Sequence, residues 1–292
     1  MEQQSRINVR SLAPCSFSVT DQIQSRYLEA LEDYHLRYTL SRDGGHPIVH
    51  PGILLNQSNA TRSPSFGEPN TRWIHVREQT YFAAPARLDD ELVAEWHIAE
   101  YRPRFGRMLA RVACVVTHHD GPVVIERTMW GIRISGQRPM RAESDRAIPE
   151  ADNMTASIAS SVQPEPAGRQ IRGRQKHVTS ERIRLFSGRT SQNLHTDDQI
   201  AKAAGLPAAV ASATQGMGYL CEFMIDNLGE EWLSGGSWML IFRNPIVSGD
   251  HVTALGRVMQ AGPPDRADKR SMDLRLVNQR GIQVAQGTAT YP

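Results

Sequence analysis

The chain has 292 residues, 40% of them hydrophobic and 22% charged, the balance of a soluble globular protein with room for one large domain or two ordinary ones. A formal net charge of +2 is too small to argue for nucleic acid as a partner, although a local basic patch could hold a phosphorylated ligand. No apolar run is long enough to span a membrane, and the first residues lack the apolar core of a secretory signal. Cys15, Cys114 and Cys221 are odd in number and far apart, and read as reduced thiols of a cytoplasmic protein.

Residues 1–19 are polar and irregular. From Asp21 to Tyr38 the spacing of Ile23, Tyr27, Leu28, Leu31 and Tyr34 predicts a helix, with Thr20 or Asp21 as its cap. A glycine-rich break at 41–45 follows, then a second helix from Gly52 to Arg62. The period then changes to two, and strands are expected over 73–82, 91–99, 108–117 and 123–134. Asp120-Gly121 marks a hairpin between the last two. Residues 136–178 are rich in Pro, Ser, Ala, Arg and Glu, and read as a linker or as a long loop draped over a sheet. Beyond it come a short helix over 198–204, a long apolar helix over 210–228, and strands over 238–242, 252–259, 272–278 and 282–291.

The second half repeats the first. Pro85-Ala-Arg-Leu-Asp-Asp90-Glu-Leu-Val-Ala94 aligns with Pro245-Ile-Val-Ser-Gly-Asp250-His-Val-Thr-Ala254, and the same offset carries Gly121 onto Gly281 and Thr128 onto Thr288. Each copy is a helix followed by an antiparallel meander. A helix apolar on most of its surface must be buried on most of its surface, and a curled sheet supplies that burial. The expected fold is therefore α+β, with a unit over 1–135, a linker over 136–178 and a unit over 179–292. Sheets joined edge to edge would hide their open strands.

The stretch Phe186-Ser-Gly-Arg-Thr190-Ser-Gln-Asn-Leu-His195-Thr-Asp-Asp198, followed by the apolar segment from Ala208 to Leu220, resembles the hydratase signature of MaoC-like enzymes. Phe186, Ser187 and Gly188 match the start of that signature, and Leu194-His195 its end. Thr190 stands where the family carries its catalytic Asp, Gln192 where it carries Asn, and Asn193 where Pro is common. The gap from Gly188 to His195 is one residue longer than usual, so the resemblance is to a divergent branch. It implies a double hotdog fold and the addition or removal of water at a 2-enoyl or 3-hydroxyacyl thioester.

Under that resemblance His195 is the acid/base, and a backbone amide at the Ser212-Ala213 helix start holds the thioester oxygen. Without the Asp, Thr190 can only hydrogen-bond, and Asn193 or Gln192 could orient a water. Asp197 and Asp198 read as helix caps. Arg189 and Arg243, with Arg182 and Arg184, are candidates for the phosphates of coenzyme A. The first unit lacks the motif and is expected to shape the acyl pocket, with His50 read either as a packing residue or as lining it. His195 could instead be a hydrogen-bonded structural histidine.

The expected partner is an acyl thioester, on coenzyme A or a carrier protein, or a related small molecule. No cofactor and no metal is expected, because no two histidines show ligand spacing with a carboxylate or thiolate. Open sheet edges and the habit of the family imply a homodimer. Two other readings stay open: isomerisation, cyclisation or elimination of a polyketide-like or other non-thioester substrate, and a silent acyl-binding subunit.

Overall fold

The structure, a computed structural model, describes residues 10–41, 44–60, 72–104, 107–134, 168–188, 193–203, 205–259 and 270–292. Both copies begin the same way. In the first, short strands β1 (Arg10–Ser11) and β2 (Cys15–Phe17) lead to helix α1 (Asp21–Leu31), where Thr20 accepts the Ile23 amide. In the second, β7 (Gln170–His177) leads to α3 (Ser180–Ser187), where Thr179 accepts the Arg182 amide.

α1 is shorter than its periodicity predicts. Glu32 takes the left-handed conformation (φ 53°), its amide turns back to the Leu28 and Glu29 carbonyls, and the chain re-forms only as a 3₁₀ turn over Leu36–Tyr38. β7 lies in the stretch read as linker. It is an edge strand in which only Lys176 is buried, so it lacks the apolar alternation that marks a strand. Residues 136–167 of that linker lie outside the described residues.

The first unit continues with α2 (Pro51–Ala60) and the meander β3 (Arg72–Phe82), β4 (Leu92–Arg104), β5 (Arg107–His118) and β6 (Val123–Ile134). The second continues with α4 (Asp198–Ala203), α5 (Ala213–Leu228), β8 (Ser237–Phe242), β9 (His251–Val258), β10 (Arg270–Asn278) and β11 (Gln283–Tyr291). The repeat persists in the turns. Asp90 Oδ2 accepts the Arg87 amide at 2.7 Å, and Asp250 Oδ2 accepts the Val247 amide at 3.0 Å. The residue before each aspartate, Asp89 or Gly249, has positive φ.

All strands join one sheet in the order β1-β4-β5-β6-β3-β8-β11-β10-β9-β7, with β2 also on β4. The two units meet where β3 pairs with β8, and Gln79 faces Met239 there, the residue that the repeat makes its counterpart. The sheet wraps the central helices. Thr214 to Ile225 of α5 are all buried, as the all-round apolar pattern demands. α2 crosses α5 closely: a Cβ on Gly52 would sit 2.8 Å from the Gly218 Cα, so this contact requires glycine.

Candidate active site

The site is organised around the start of α5. Ser212 caps the helix with extended backbone (φ −67°, ψ 155°), and its Oγ accepts the Gln215 amide at 3.1 Å. The amides of Ala213 and Thr214 precede the first intrahelical bonds and have no partner among the described residues. They carry the positive end of the helix dipole.

A second chain segment clasps this helix start. The Val210 amide donates to the Leu194 carbonyl at 3.1 Å, and His195 Nδ1 donates to the Val210 carbonyl at 2.7 Å. Because Nδ1 must carry a proton to meet a carbonyl, Nε2 of the neutral ring carries the lone pair. Burial pushes the imidazole below its ordinary value, against the opposing effect of the Val210 carbonyl, so the ring is neutral near pH 7.

The turn is braced from both sides. Asn193 Oδ1 accepts the His195 amide at 2.8 Å, Thr196 Oγ1 accepts the Asn193 amide at 3.1 Å, and Arg184 Nε donates to the Thr196 carbonyl at 3.2 Å. Asp197 Oδ1 caps α4 through the Gln199 and Ile200 amides, while Asp198 Oδ1 accepts the Ala209 amide and ties down the loop before α5.

A cleft of about 310 Å³ opens at this point, and His195, Ser212, Ala213 and Arg243 all line it. Both units supply its apolar lining: Trp73 on β3, Ala110 and Val112 on β5, and Met129 and Trp130 on β6 face Phe242, Ile246, Leu276 and Val284 of the second unit. Among the described residues no carboxylate lines it. Arg243 is exposed, whereas Arg182 pairs with Glu32 at 2.8 Å and Arg184 with Thr196.

Two expectations need correcting. His50 does not line the cleft: its side chain is fully buried, Nδ1 accepts the Gly52 amide at 3.0 Å, and Nε2 lies 3.2 Å from Asp33 Oδ2. Asn193 does not line it either; its side-chain Oδ1 accepts the His195 amide. Arg189, Thr190 and Gln192 lie outside the described residues.

Sequence reasoning missed Asn59, Thr214, Asn244 and above all His75, which line the same cleft. His75 escaped because β3 is irregular. Its register against β6 shifts between His75 and Arg77, which places an extra residue in the strand. In a regular strand residues three apart face opposite sides, and the bulge brings His75 and Glu78 to the same side. His75 Nε2 lies 2.9 Å from Glu78 Oε2 and 3.0 Å from the Arg77 carbonyl. Glu78 Oε1 accepts from Arg127 Nε at 2.7 Å and from Thr80 Oγ1 at 3.0 Å. Burial pushes the Glu78 carboxyl up, but the Arg127 guanidinium and the His75 contact outweigh it and hold the group below the usual carboxylate range. A visible signal was there: Glu78, Thr80 and Arg127 occupy inward positions of strands, where apolar residues are the rule.

Among the described residues no group of three His, Cys, Asp or Glu side chains could hold a metal ion, and no helix is long and apolar enough to cross a membrane.

No family model matches the chain, and no curated protein matches it by sequence. Solved structures do. A MaoC-like dehydratase superimposes over 97% of both chains, with a TM-score of 0.73 and 17% identity. A MaoC-like dehydratase from Phytophthora capsici covers 97% of this chain and 95% of its own, with a TM-score of 0.66 and 15% identity. A conserved hypothetical protein of Mycobacterium tuberculosis described as a double hotdog covers 97% and 94%, with a TM-score of 0.62 and 12% identity. The continuous sheet, the two wrapped helices and these superpositions agree: the chain has the double hotdog fold of the MaoC-like dehydratases.

Proposed function

We propose that the protein is a hydro-lyase that adds water to, or removes it from, an acyl thioester carried on coenzyme A or a carrier protein. The observation that carries this reading is one cleft holding a neutral histidine and an unpartnered helix-start amide. In the hydration direction His195 Nε2 takes a proton from water as the water oxygen bonds to Cβ. The electrons of the double bond move to the thioester oxygen, where the Ala213 amide and the helix dipole stabilise the charge. His195 then returns the proton to Cα, so one histidine closes the balance. Asn193 holds the backbone of His195 in place, and Arg243 at the exposed edge meets the phosphates of the carrier. The unit over 1–135 shapes the acyl chamber, and the unit over 179–292 carries the chemistry.

The test is the loss of the conjugated thioester absorbance with short, branched and aromatic trans-2-enoyl-CoA substrates. Activity that disappears in His195→Ala supports the reading. Folded protein inactive across the panel overturns it.

One observation favours a second reading. With no carboxylate at the cleft among the described residues, the same histidine and amide suit enolisation of a carbonyl, and hence isomerisation, cyclisation or elimination on a non-thioester substrate. Exchange of substrate α-protons with deuterated water, without hydration, would identify it.

A further inference from the structure

The first unit's side of the cleft carries a built polar group. The His75 side chain is 13% exposed and lines the cleft, while Glu78 behind it is fully buried. Glu78 is fixed by Arg127, itself fully buried, whose Nη1 donates to the Leu55 carbonyl, Ser58 Oγ and Asn59 Oδ1 at the end of α2. The ion pair behind the histidine is therefore neutral as a whole and hydrogen-bonded on several sides. Ionic groups in a wall of this kind carry a large desolvation cost, and an apolar residue would fill the space with less. What the arrangement delivers is a fixed imidazole. Nε2 donates to the Arg77 carbonyl at 3.0 Å and lies 2.9 Å from the Glu78 carboxylate, so in the neutral form of the ring Nδ1 is the nitrogen left to accept. The ring also packs at a tilt against Phe242, at 4.8 Å between centroids and 55° between planes. Trp73 and Trp130 line the cleft alongside it.

We propose that His75 is a specificity-determining residue that accepts a hydrogen bond from a hydroxyl group on the acyl portion of the substrate, so that the substrate class is a hydroxylated, aromatic-bearing acyl thioester. This rests on the thioester reading above. The aromatic walls provide stacking area, and the acceptor on one wall makes an acyl group without a hydroxyl leave Nδ1 unpaired.

The probes are cinnamoyl-CoA, its 2-, 3- and 4-hydroxy derivatives, and the matching methoxy derivatives, which accept but do not donate. Binding is read by titration calorimetry on the His195→Ala protein, so that turnover does not intervene. At least one hydroxy isomer is expected to bind about tenfold tighter than cinnamoyl-CoA, the worth of one hydrogen bond. Its methoxy counterpart should show no gain. Adding His75→Leu should abolish the preference, and His75→Gln, which still accepts, should restore part of it. Thioesters that bind without any hydroxyl preference, or a preference that survives His75→Leu, would overturn this inference and leave the thioester reading intact. A preference for the methoxy compounds would also overturn it, since the ring would then be a donor. Folded protein that binds none of the thioesters would overturn the thioester reading and this inference with it.

Discussion

The starts of the two central helices occupy the same place in the repeat and have opposite properties. The Val49 amide pairs with the Ala86 carbonyl before α2, and the Ala211 amide pairs with the Ile246 carbonyl before α5. His50 is thus the counterpart of Ser212, and Pro51 of Ala213. The first helix start is sealed, with His50 fully buried between Asp33, Gln24 and the ring of Tyr38. The second opens on the cleft. Where α5 presents the Ala213 amide, α2 has proline, which has no N–H to give. One duplicated position has become packing and the other a place where charge could develop.

The largest effect that sharpens this contrast is at the acid/base. His195→Ala should lower hydration of a trans-2-enoyl thioester by roughly 10²- to 10⁴-fold, the usual contribution of a positioned acid/base, with the thermal midpoint little changed. In the native protein, burial holds the imidazole below its ordinary value of 6.5, so the acid limb of kcat/KM should fall below that pH. An acid limb at or above the ordinary histidine value would assign the titration to another group.

Grafting the first helix start onto the second is the next test. Ala213→Pro removes the amide and keeps a backbone that proline accepts at the first helical position, after a residue that is already extended. Loss of one oxyanion donor costs about 10²- to 10³-fold in kcat. The variant should fold, bind product-like thioesters and turn over slowly. If kcat is unchanged, Thr214 or a group elsewhere holds the carbonyl oxygen.

The reverse contrast is in stability. His50→Ala leaves the Asp33 carboxylate buried without its imidazole and should cost roughly 3–5 kcal/mol in denaturant unfolding, the penalty for breaking a buried pair. The residual kcat of the folded fraction should match the wild type. Burial raises the Asp33 pKa, but the His50 contacts, with the His35 amide and Lys176, outweigh it and hold the group below its ordinary value of 3.8. A depressed carboxylate contributes stability above its unfolded value and loses it as pH falls through the folded value. His50→Ala should therefore flatten the acid side of the stability curve below pH 3.8.

Much of this architecture could be read from residues alone, for physical reasons. Periodicity found α5 because burial on every side leaves no polar face to confuse it. The fixed offset from Pro85 to Pro245 found the duplication because each copy repeats the same aspartate-closed turn. β7 was missed because an edge strand needs no apolar alternation. At the site, the motif led to His195 and to the helix start, whereas His50 was misplaced because what seals it, Asp33, Gln24 and Tyr38, lies outside its flanks. His75 escaped for a different reason: the polar residues at Glu78, Thr80 and Arg127 signal a buried cluster, but a strand bulge decides that His75 joins it, and no residue between Trp73 and Glu78 announces the bulge. The cleft is made by two units meeting, and its far wall belongs to strands distant in sequence from the motif.

The smallest effect separates the Ser212 side chain from the amides that follow it. Ser212 Oγ accepts the Gln215 amide and also lies 2.8 Å from Thr214 Oγ1, which in turn donates to Asn56 Oδ1 on α2 at 2.8 Å. Its hydroxyl therefore belongs to the cap and to the contact between the central helices. Ser212→Ala should cost about 1 kcal/mol in unfolding, the ordinary worth of an N-cap, and change kcat by less than about threefold. Ser212→Gly should recover most of that stability, since glycine is nearly as good a cap. A large fall in kcat with stability preserved would move the serine hydroxyl from helix architecture into the oxyanion site. The amide of Ala213 would then share its role with a side chain, a difference from α2 that reaches beyond the backbone.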